Sequence, residues 1–67
     1  MTLSEIVCKR NNIRVKEYEH CGDGLIFVGG CFITGGMIIT LDGNAYTFDI
    51  PVEAWEWQDN TTLMIMR

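Results

Sequence analysis

Cations are missing from most of this chain. Lys9, Arg10, Arg14 and Lys16 lie within the first sixteen positions, and apart from Arg67 no lysine or arginine follows. Residues 21–66 hold Asp23, Asp42, Asp49, Glu53, Glu56 and Asp59 with nothing of opposite sign, while residues 1–20 come to a net +1. A groove that tracks a phosphate backbone needs lysine and arginine, so no direct nucleic-acid partner is expected. An acidic segment of this kind suits association with a basic surface. Long apolar runs are absent too. No segment reaches the roughly 18 residues of a membrane span, and the opening Met-Thr-Leu-Ser-Glu has none of the character of a signal peptide. A cytoplasmic protein without a membrane partner is the expectation.

Scarcity at reactive positions narrows the chemistry further. The single histidine, His20, has no serine–aspartate context, and on a strand its side chain would diverge from that of Cys21. Cys8, Cys21 and Cys31 are an odd number with no Cys-x-x-Cys knuckle. That pattern fits reduced thiols better than a disulfide framework or a zinc site. The glycine pair at residues 29–30 is not followed by a helix, as a phosphate-cradling loop requires. No metal, no cofactor and no catalytic set is expected. The chain reads as a non-enzyme.

What is present is strand-forming. A chain of 67 residues, 48% hydrophobic, excludes a disordered tail and predicts one small domain over residues 1–67, marginal as a monomer. β-branched and aromatic residues cluster between glycine and asparagine punctuation, without helical periodicity. Residues 4–10 and 13–20 read as a hairpin turned at Asn11-Asn12. Leu25–Ile33 is apolar on both faces and predicts a central strand, bent at Gly29-Gly30. Met37–Leu41 and Ala45–Ile50 flank Asp42-Gly43-Asn44 as a second hairpin. It buries Ile39, Tyr46 and Phe48 and turns Thr40, Thr47 and Asp49 outward. Pro51 ends that strand, and one helical turn fits residues 51–54. Trp55–Gln58 and Thr62–Met66 make a last hairpin, with Met64 and Met66 across from the tryptophans.

The predicted fold class is all-β: five to seven short antiparallel strands in a small barrel or sandwich. Its size is that of SH3-like or Sm-like barrels. The expected core includes Ile6, Cys8, Val15, Phe27, Ile39, Phe48 and at least one tryptophan.

Function follows by class. In size and composition the chain is similar to the small inhibitors encoded by phages and other mobile elements. It is expected to act as a non-catalytic interaction protein that occludes a basic surface on a larger protein. Asp49, Glu53, Glu56 and Asp59 would steer, with Trp55 or Trp57 as anchor. A competing expectation is an oligomeric small-ligand or nucleotide-binding protein with pockets between subunits. There the glycines at 29–30 and 35–36 would approach the ligand, and Arg10, Arg14 and Lys16 would meet its anions. Apolar residues on both faces of the last strand predict a homo-oligomer, built on Leu63, Met64, Ile65 and Met66.

Overall fold

The structure, a computed structural model, describes residues 1–66. One short helix, α1 (Leu3–Val7), precedes five strands: β1 (Ile13–Cys21), β2 (Gly24–Thr34), β3 (Met37–Thr40), β4 (Ala54–Trp57) and β5 (Thr62–Met66). They form one sheet in the order β3-β2-β1-β5-β4. The protein is mostly β, as its composition implies. The sheet is mixed rather than purely antiparallel, because β1 and β5 pair in parallel from Arg14↔Thr62 to Tyr18↔Met66. It is also open, with β3 and β4 as its two edges, and does not close into a barrel.

Period-two alternation decides which face is filled. Ile13 and Val15 on β1, Cys31 and Ile33 on β2, and Leu63 and Ile65 on β5 share one face and are buried. Over them lies a second layer: α1, through Leu3, Ile6 and Val7, and the extended segment 46–52, through Tyr46, Phe48, Ile50 and Val52. Five residues are too few for a helix to stand alone in water. This one is held at both ends. Thr2 and Glu5 form a reciprocal capping box, and Cys8 closes the helix in a left-handed conformation. The two layers are stitched together where Leu3 N–H donates to the Ile50 carbonyl (3.1 Å) and Ser4 N–H to the Phe48 carbonyl (3.0 Å). Helix donors that would otherwise lack partners thus meet the segment beside them.

Several expectations are corrected. Residues 4–10 do not form a strand: Leu3, Ile6 and Val7 fall on one side of α1, and Asn11-Asn12 joins helix to strand. The helical turn lies there and not at residues 51–54. Cys8 is exposed at the helix end. Segment 45–50 does alternate as expected, with Tyr46 and Phe48 inward, yet it pairs with no strand. β3 pairs instead with β2 across Gly35-Gly36, which turns Ile38 inward and leaves Ile39 45% exposed.

Phe27 is displaced from the core by a bulge. Glu17 pairs with Gly29 but Tyr18 pairs with Phe27, so one extra residue shifts β2 by one position. Phe27 therefore joins Tyr18 on the opposite face and is 61% exposed. The last hairpin forms as expected, in a different register. Trp55 lies across from Ile65 and Trp57 from Leu63, while Met64 faces Glu56.

Candidate functional site

The free edge of β4 gathers most of the residues expected to bind a partner. Trp55, Glu56 and Trp57 lie on the strand itself, Glu53 immediately precedes it and Asp59 sits in the turn that follows. β4 is only four residues long, a usual way to blunt an edge. Asp49 stands apart, exposed in the covering segment.

The side chains on this edge are not equivalent. Trp57 packs against the core and carries the Arg10 guanidinium 4.2 Å above its ring, which ties the α1–β1 connection to the edge. Trp55, across from Ile65, is 37% exposed. Asp59 organises its own turn: its Oδ1 accepts from the Thr61 N–H (2.8 Å) and hydroxyl (3.1 Å). Chiefly for that reason its carboxyl is held below the ordinary range, and it is fully ionised at neutral pH. Glu53 forms one wall of a groove of about 380 Å³, lined also by Ile50, Pro51, Val52, Ile65 and Met66. An apolar anchor, flanking carboxylates and an adjoining apolar groove therefore share one end of the sheet.

No family model, curated protein or solved structure matches the chain. The reading rests on geometry and chemistry.

The residues expected at an oligomer interface divide between the two faces. Leu63 and Ile65, at 0 and 3% exposure, belong to the protein's own core. Met64 and Met66 are half-buried on the opposite face. Of the glycines expected to approach a ligand, Gly35 and Gly36 face open space, whereas Gly29 and Gly30 have occupants already. A side chain at Gly29 would run into the Asp42 carboxylate, and one at Gly30 into the Val15 backbone carbonyl.

A polar cluster that the sequence reading did not assemble lies at this point. Asp42 accepts from the Gly30 N–H (2.7 Å), the Asn44 N–H (2.9 Å) and the Tyr46 hydroxyl (3.3 Å). Cys31 and Glu17 are buried close by. Burial, aided by the Asp42 and Glu17 charges, pushes the Cys31 thiol up to about 11. Burial and the same two charges push Tyr46 up to about 12. Both groups stay protonated at neutral pH, the reverse of what a nucleophilic thiol needs. The cluster fastens the 42–46 loop to β2. Its signal in the sequence was Asp42-Gly43-Asn44, read there as a hairpin turn. Among the described residues, no group of three or more His, Cys, Asp and Glu side chains is placed to hold a metal.

The face opposite the core is also absent from the sequence reading as a site. It receives Arg14, Lys16 and Tyr18 from β1, Phe27 and Phe32 from β2, Met37 and Ile39 from β3, and Met64 and Met66 from β5. Arg14, Phe27, Met37 and Ile39 are exposed there, and the others are half-buried. The alternation Arg14-x-Lys16-x-Tyr18 against Ile13-x-Val15-x-Glu17 was its legible half; the bulge that adds Phe27 was not.

Proposed function

We propose that the protein is a non-catalytic interaction protein that docks the β4 edge on a basic surface of a larger protein and occludes it. The observation that carries this reading is the position of Glu53, Trp55, Glu56 and Asp59 along and beside one free strand edge. Trp55 is the anchor, since Trp57 is engaged with Arg10 and the core. The carboxylates steer the encounter and set its salt dependence, as rim charges do. Where the basic surface is a nucleic-acid site, occlusion inhibits without chemistry. In size and charge this suits an inhibitor of the phage or mobile-element kind.

The test is comparative capture from a lysate followed by identification of the bound polypeptide. Wild type should retain a basic protein that Trp55→Ala and the double variant Glu53→Lys with Glu56→Lys both lose. Equal retention by all three proteins would overturn the assignment of the edge.

A further inference from the structure

We infer that the open face of the sheet is a second binding surface, for single-stranded nucleic acid. It lies across the middle of the sheet, meets the docking edge only at Glu56, and does not depend on that edge's partner. The observations are three. The fold moves aromatic rings out of the core onto this face: the β2 bulge turns Phe27 outward, where it meets Tyr18 edge to face at 5.7 Å between ring centroids. Phe32 lies on the same face, directly across from Arg14. The two cations of β1, Arg14 and Lys16, stand along the middle of the sheet, one strand from Phe32 and on the same strand face as Tyr18. Among the described residues, Glu56 on the far edge is the only carboxylate that the strand register puts on this side.

Charge selects the occupant. A second copy of the chain laid face to face about the central strand would set Arg14 and Lys16 against their own equivalents, with only the outlying Glu56 as compensation. An apolar protein surface would desolvate both cations without pairing them. A flexible strand of nucleic acid supplies what the face requires: phosphates for Arg14 and Lys16, and flat bases for Tyr18, Phe27 and Phe32. The acidity of residues 21–66 does not prevent this, because β1, from the first third of the chain, provides the charge at the centre. Two cations make for modest affinity and a shallow salt dependence. Sequence preference should be slight, since stacking reads every base alike.

The experiment is fluorescence anisotropy with a labelled oligouridylate of about ten nucleotides, a length within the range one small domain covers. Binding should weaken about sevenfold between roughly 50 and 200 mM salt, from a slope of about 0.7 per phosphate contact and two contacts. Arg14→Ala with Lys16→Ala should bring that slope close to zero. Phe27→Ala, at an exposed position, should weaken binding by at least about fivefold. Amide chemical shifts of the wild type, which need no variant, should move on β1 and β2 along this face. No binding, or binding unaltered in the double cation variant, would overturn the inference. So would displacement of the probe by an oligoglutamate peptide as readily as by unlabelled oligouridylate, which would make the surface an acidic-polypeptide site. Sedimentation showing a dimer dissolved by Phe27→Ala would assign the face to a second copy instead.

Discussion

Asp42 and the two glycines beneath it show how one contact fixes a local chain path. Gly30 has no room for a side chain because the Val15 carbonyl occupies the space, so Gly30→Ala should destabilise the protein by about 1–3 kcal/mol in urea unfolding. Cys31 offers a second test at this scale. Cys8 and Cys21 are exposed, so two thiols should react with a disulfide reagent in the native protein, and the third only in denaturant. The raised thiol and phenol also set a pH window. Cys31 moves from 9.0 to about 11 on folding and Tyr46 from 10.0 to about 12. Each favours the protonated form in the native state, so its contribution is whole below about pH 9 and is lost as pH rises through 11 and beyond. The urea midpoint should fall over that range, and Cys31→Ala should reduce the fall. Little of this cluster was legible in the sequence. Asp42-Gly43-Asn44 carries the same signature whether it turns a hairpin or caps a loop against a distant strand, and only the packing against Gly29 distinguishes them.

Elements were legible where alternation is strict and local. β1 and the β4–β5 hairpin lie where their patterns put them, and segment 45–50 turns the expected side chains inward. That segment forms no ladder because it lies beside α1 over the core face, where its Phe48 and Ile50 carbonyls accept from the helix N–H groups. Alternation specifies a buried face and says nothing of the partner. The parallel β1–β5 pair was illegible because no turn sequence announces a pairing between the two ends of a chain. α1 was missed because five residues hold too little periodicity, although Thr2 and Glu5 were its cap signal. Helix termination is open to test. Cys8 and Lys9 follow one another in the left-handed region, at φ of 48° and 64°. Lys9→Gly should relieve that strain and raise stability by about 1 kcal/mol. Thr2→Ala should remove the cap and lower stability by about 1 kcal/mol, both read by urea denaturation.

On the scale of the whole molecule, the fold sorts charge that the sequence had merely divided into halves. Carboxylates flank one edge, two cations line the middle of the open face, and the core lies on the other side of the sheet. The candidate edge was legible because its residues are consecutive. The open face was not, because its members come from four strands. The account turns on docking by the β4 edge, and association kinetics with the captured basic protein test that most directly. The wild-type association rate should fall steeply as salt rises, whereas Glu53→Lys with Glu56→Lys should associate more slowly and with a shallower salt dependence. Identical rates and slopes for the two proteins would contradict it.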